Sequence, residues 1–211
     1  MNEYFAASPA LRAGPGYAAG QAVTLTVATI GTVSVPSGSL GIGDPGYANP
    51  DALLQVPVAA GTYPVRVTRF DRTRNNGMPW TCNATLSVVL ADVPEQRRGP
   101  LPTADPSANP SEMDIVGVDG GEVAVLDWAA YHRLWEEDEE RLESFFLDDV
   151  SGLPRPWDTL LPGRPENVVA DQSGYGDGGY PVYGGFAADG RVVAVHVDFN
   201  NAALTPNRYR E

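Results

Sequence analysis

The chain has 211 residues, a formal charge of −13, 43% apolar residues, 23 glycines and 19 prolines. That length suits one domain, with two small ones as the alternative, and the apolar share excludes a disordered chain. The acidic balance repels phosphate backbones and argues against nucleic acid, no stretch reaches the roughly 20 apolar residues of a membrane span, and Cys82, the single cysteine, excludes an intrachain disulfide.

Residues 1–20 are rich in Ala, Gly and Pro without periodicity and read as a loose N-terminal arm. They lack the basic start and apolar run of a signal peptide, so the expected location is the cytoplasm. A single β-rich domain is expected over 21–200, with 201–211 as a tail. "QAVTLTVATIGTVSV" (21–35) alternates, placing Val23, Leu25 and Val27 on one strand face. "SGSLGIGDPGY" (37–47) predicts a short strand and then a turn at Asp44-Pro45-Gly46. "LLQVPVAAGTYPVRVTRFD" (53–71) predicts two strands joined at Ala60-Gly61. Pro64 puts the second at its own start or at a sheet edge. "TCNATLSVVLAD" (81–92) is another strand, with Cys82 as a small core residue.

"VPEQRRGPLPTADPSANPSE" (93–112) holds five prolines and reads as an insertion loop. "MDIVGVDGGEVAVLD" (113–127) reads as a hairpin turning at Asp119-Gly120-Gly121. Asp127 then caps the one long helix, with Trp128, Tyr131, Trp135, Leu142, Phe145 and Phe146 near helical spacing. Glu136, Glu137, Glu139 and Glu140 crowd its other side, as a solvated face or as a docking face for a basic partner. His132, on the helix beside Tyr131, reads as a plain histidine. Residues 151–165 look irregular, and "ENVVADQ" adds a strand. About ten short strands and one long helix predict a mainly β (α+β) fold, a β-sandwich or half-open barrel.

"SGYGDGGYPVYGGFAADGRVVAVHVDF" (173–199) is the densest stretch. Asp189-Gly190 turns Tyr180–Phe186 back onto Arg191–Phe199. On the returning strand His196 and Asp198 share a face, a spacing for a base beside its orienting carboxylate or for two metal ligands. Asp177 lies in a run of glycines, Gly176 before it and Gly178 after it. It can bond the backbone of its own turn or reach outward to a cation. Were Asp44, Asp177 and Asp198 to converge, they would form an oxygen-rich site suited to calcium or magnesium or divide acid and base roles. No motif calls for any other cofactor.

The run "NVVADQSGYGDGGYPVYGGFAADGRVVAVHVDF" (167–199) closely resembles the C-terminal signature of a bacterial family of unknown function: Ser-Gly-x-Gly-Asp-Gly-x-Tyr-Pro-Val-Tyr, a glycine-containing hairpin turn, and a closing Asp-Phe. "VPSGSLGIGDPGY" and "VAAGTYPVRV" are similar to its N-terminal pattern, and "VGVDGGEVAVLD" more weakly to its middle. Tyr175 stands where tryptophan is more usual, and the linker at 93–112 is longer. The resemblance marks Asp44, Gly176, Asp177, Gly178, Tyr180, Tyr183 and Asp198 as motif positions and implies no activity.

Three functional expectations follow. The leading one is a non-catalytic binding module, immunity- or antitoxin-like, directed at a basic protein. The second is a metal-assisted hydrolase using Asp44, Asp177, Asp198 and His196. The third is that these motifs are architectural, Asp177 satisfying a corner while Tyr180 and Tyr183 pack the fold.

Overall fold

A computed structural model describes residues 3–45, 49–73, 76–102 and 113–206. Gly46 of the turn expected at Asp44-Pro45-Gly46, half of the Pro-rich insertion and the end of the expected tail fall on 46–48, 103–112 and 207–211, outside the described residues. Along the described chain run α1 (Glu3–Ala6), β1 (Gly14–Ala18), β2 (Gln21–Val35), β3 (Ser39–Gly43), β4 (Leu54–Pro57), β5 (Gly61–Thr73), β6 (Pro79–Val89), β7 (Arg97–Gly99), β8 (Asp114–Val118), β9 (Glu122–Asp127), α2 (Trp128–Ser144), β10 (Trp157–Leu160), β11 (Asn167–Gln172), β12 (Gly178–Phe186) and β13 (Val192–Asp198). The fold is mainly β, with a larger sheet curled into a half-barrel, a second sheet and one long helix. No helix among the described residues is long and apolar enough to cross a membrane.

Contacts divide the chain into two compact units. One comprises Met1–Thr29, Arg66–Asp114 and Tyr180–Glu211; the other comprises Ile30–Val65 and Ile115–Gly179. A single body over 21–200 was the expectation from composition. Both units are stitched from non-contiguous stretches, and β2, β5 and β12 each pass from one to the other, so no linker marks the boundary.

The larger sheet has the order β1-β2-β5-β6-β13-β12-β7. The hairpin at Asp189-Gly190 forms as its turn chemistry requires: β12 and β13 pair antiparallel with Tyr183 opposite His196. The alternation in β2 is also observed, with Leu25 buried and Thr24 and Thr26 exposed beside it. β5 lies between β2 and β6 and is not an edge strand, so Pro64 takes the other place open to it, among the strand's first residues. In the first unit Leu25, Phe70, Cys82 and Ala84 pack into a core cluster.

Residues 3–18 are not a loose arm. Phe5, Ser8 and Ala10 are buried, and Tyr17 exchanges two backbone hydrogen bonds of 2.8 Å with Ala203, which also ties down the start of the expected tail.

The second unit holds the sheet β10-β11-β9-β3-β4. β9 is buried along its whole length, as a central strand covered on both faces must be. Its last residue, Asp127, caps α2 as expected: one carboxylate oxygen accepts from the Ala130 N–H at 2.8 Å and the other from the Ser37 N–H at 2.9 Å. Tyr131, Leu134, Leu142, Phe145 and Phe146 pack with Leu126, Val168 and Ala170 of the sheet, while Trp128 and Trp135 border the cluster half-buried. The helix kinks at Asp138, whose φ of −159° and ψ of 72° are non-helical. The Asp138 carboxylate accepts from the Arg141 N–H at 3.1 Å and so recaps the helix beyond the kink.

The hairpin expected at 113–127 does not form. β9 pairs with β11 and β3, whereas β8 pairs with β12 in the larger sheet. Its Asp-Gly-Gly turn connects two sheets rather than two partners.

Candidate functional site

The three aspartates expected to share an ion each hold a different environment. Asp44 is 2% exposed. Its Oδ2 accepts from the backbone N–H groups of Asp119 and Gly120, each at 2.6 Å, so it clamps the turn between β8 and β9. Asp198 is fully buried; its Oδ1 accepts from the Asn200 N–H at 2.9 Å, and the Tyr183 hydroxyl lies 3.5 Å from its Oδ2. Asp177 is exposed. Among the described residues, no three His, Cys, Asp or Glu side chains are grouped to hold a metal ion. Nearby, Ser173 closes the glycine corner by donating to the Gly176 carbonyl at 2.6 Å, and Gly176 has a φ of 104°, open to glycine at little cost.

His196 and Tyr183 belong instead to a buried polar row in the first unit. Register explains it. His196 stands opposite Ser87 on β6 and opposite Tyr183 on β12, so three adjacent strands deliver three polar side chains to one line. His196 Nδ1 lies 2.9 Å from Ser87 Oγ, and the His196 and Tyr183 ring centres are 5.2 Å apart. Tyr183 also hydrogen-bonds Ser8, and its ring packs against Phe5. Tyr180 faces the other way and meets Phe199 edge-on at 5.2 Å.

Glu95 and Arg98 complete the row, although they come from the segment read as an insertion loop. Glu95 Oε1 lies 3.0 Å from His196 Nε2 without hydrogen-bond alignment. Its Oε2 accepts from Arg98 Nε at 2.8 Å. Arg98 then donates to the Ser8 and Ala10 carbonyls at 2.8 and 2.6 Å, which pins the N-terminal segment. Gly185 makes this approach feasible: a Cβ there would lie 2.6 Å from the Glu95 carboxylate carbon.

Burial disfavours the charge on His196 and lowers its pKa, so the ring is neutral; Glu95 and Asp198 pull the other way without prevailing. Burial also works against the Glu95 charge, but contact with His196 and the Arg98 guanidinium outweigh it and hold the carboxyl at about 2. His196 and Arg98 both favour the Glu95 charge, and Arg98 is the one of the two that is charged at neutral pH. Ser87, His196 and Glu95 thus line up as hydroxyl, imidazole and carboxylate, yet Ser87 and His196 have no exposed surface for a substrate to reach. The arrangement holds the fold together. The sequence signal for it was the Glu-x-x-Arg spacing in "PEQRRG".

Charge is divided sharply between the units. Seventeen of the 27 carboxylates but four of the 14 arginines fall in the second unit, which therefore carries −13; ten of each leave the first unit neutral. The densest acidic surface is the outer side of α2 and the π-helical turn that follows at Phe145–Asp149. Glu136, Glu137, Asp138, Glu139, Glu140, Glu143, Asp148 and Asp149 are all exposed. Arg164 pairs with Glu137, and Arg141 reaches Asp149 at 3.6 Å. His132 stacks near Trp128 and lies 3.5 Å from Glu136. Leu147, 65% exposed, sits among these carboxylates and was not singled out by sequence.

No curated protein and no solved structure matches the chain. A family model described as "Protein of unknown function (DUF4241)" matches residues 33–197, a span that takes in Asp44, the acidic helix, the glycine corner, Glu95 and His196. With well over half of its length matched, the chain belongs to that family.

Proposed function

We propose that the protein is a non-catalytic binding module that docks a basic protein through the acidic face of α2. The observation that carries this reading is the set of exposed carboxylates on one helix face, in the unit that holds the whole net charge. Apart from Asp138, which caps the helix beyond its kink, several of them work against the helix. Beyond the kink, Glu139 and Glu143 stand at i,i+4 and Glu140 and Glu143 at i,i+3, and like charges at those spacings destabilise a helix by about 0.2–0.5 kcal/mol each. A chain that keeps such repulsion accepts a stability cost that a cationic partner would relieve on binding. Leu147 adds an apolar contact beside the charges, as an apolar centre beside a polar rim. Covering the basic surface of its partner would make the module inhibitory, in the manner of an immunity protein or antitoxin.

The test is a titration of the protein with a fluorescent arginine-rich peptide. Two variants are compared, each with three fewer negative charges in the second unit: Glu136→Gln/Glu139→Gln/Glu140→Gln, and Asp51→Asn/Asp119→Asn/Asp177→Asn. Loss of about tenfold in affinity, roughly 1.4 kcal/mol, in the helix variant alone supports a docking face. Equal losses in both, or none, overturn it.

A further inference from the structure

We infer that the first unit carries a binding pocket for a small organic monocarboxylate. A cavity of about 190 Å³ is lined by Phe5, Arg12, Glu95, Arg97, Arg98 and Leu204, among others. A second, of about 230 Å³, shares Arg12, Glu95 and Arg98 with it. Three guanidinium groups therefore line one small cavity in a unit whose formal charge is zero. Arg98 is spent on Glu95 and two backbone carbonyls. Arg12 and Arg97 form no ion pair among the described residues. Arg12 and Arg97 thus leave two positive charges beside one cavity for an anion to engage.

The walls select the kind of anion. Arg97 is held in place, its guanidinium carbon 3.8 Å above the Phe186 ring, and such a fork binds the two oxygens of a carboxylate or phosphate. Glu95 is ionised and lines the same cavity, its Oε1 turned to His196 and its Oε2 to Arg98. It penalises a second negative charge on the ligand, which favours a carboxylate over a phosphate dianion. Phe5 and Leu204 supply apolar wall for the ligand's body. The volume lies below the 300–1,000 Å³ typical of drug-sized ligands, so the ligand is small. This pocket is independent of the acidic helix.

Calorimetric titration of the full chain, at constant ionic strength, with benzoate, benzamide and inorganic phosphate tests the inference. Benzoate is expected to bind and to raise Tm. Benzamide, the same shape without the charge, is expected to do neither, and phosphate to bind at least tenfold more weakly than benzoate. In Arg12→Gln/Arg97→Gln, two positions exposed enough to leave folding intact, benzoate binding should fall at least tenfold. Absent benzoate binding, equal binding in the variant, or equal binding of benzamide would overturn the pocket; phosphate binding as tight as benzoate would overturn the carboxylate class.

Discussion

Replacing Glu95 with glutamine keeps the shape and removes the charge that Arg98 and His196 enclose. Two routes give the size of the loss. Holding the carboxyl down from its ordinary 4.5 to about 2 is worth at most about 3 kcal/mol, since part of that pull comes from a charged His196. Breaking a buried ion pair by removing one partner costs about 3–5 kcal/mol. Solvent screening takes little from either figure, because the Arg98 and Glu95 side chains are only 10% and 13% exposed. Glu137→Gln is the internal control: its pair with Arg164 has the carboxylate 60% exposed, and pairs of that kind contribute at most about 1 kcal/mol. Urea unfolding at pH 7 measures both, with an unchanged slope certifying that only stability moved. A loss of about 3 kcal/mol for Glu95→Gln and under 1 for Glu137→Gln is expected. Equal, small losses would mean that Glu95 is solvated and that no dry polar row exists.

Acidification should act through His196 before it reaches the carboxylates. The unfolded chain takes up a proton near pH 6.5 while the folded, buried ring, surrounded by Ser87, Tyr183, Glu95, Arg98 and Asp198, stays neutral. Its contribution to stability is therefore complete above about pH 6.5 and drains as pH falls, by at most about 1.4 kcal/mol per pH unit; unfolding of wild type and His196→Gln between pH 7 and 5 should show that slope in wild type alone. Glu95 follows in the same direction as pH falls from 4.5 towards 2. Gly185→Ala should push Glu95 off His196 and cost about 2 kcal/mol or more, detected as a lower urea midpoint. Asp44→Ala should cost about 1–3 kcal/mol, since two backbone donors lose their acceptor, whereas Asp177→Ala should stay within about 0.5 kcal/mol; the reverse order in thermal unfolding would restore Asp177 as the corner post.

The strands that sequence pattern revealed and those it hid differ physically. All ten expected strands are present. The three that were missed, β1, β7 and β10, each lie at the end of a sheet order. An edge strand pairs on one side only and tolerates proline, glycine and charge, so "GPGYA" and "RRG" carry no alternation to read. The β8–β9 misreading has a different origin. Asp-Gly-Gly specifies a turn and not the partners of its arms, which lie in different sheets; Asp44 holds that turn from more than 70 residues away. The buried row was half legible. His196 and Asp198 on one face follow from period two, and Tyr183 from the hairpin register. Ser87, 109 residues before His196, enters only through sheet order, and Glu95, inside a proline-rich run, left only its i,i+3 spacing to Arg98. The acidic helix face was the most legible feature of all, because helical periodicity and charge both lie within one segment.

The most direct test of the docking face is a hydrogen-exchange footprint of the arginine-rich peptide on the intact protein. The account predicts slowed exchange confined to 133–149, around the exposed carboxylates and Leu147. Protection elsewhere, at the glycine corner 173–179 or across the first unit, with no change along α2, would contradict it.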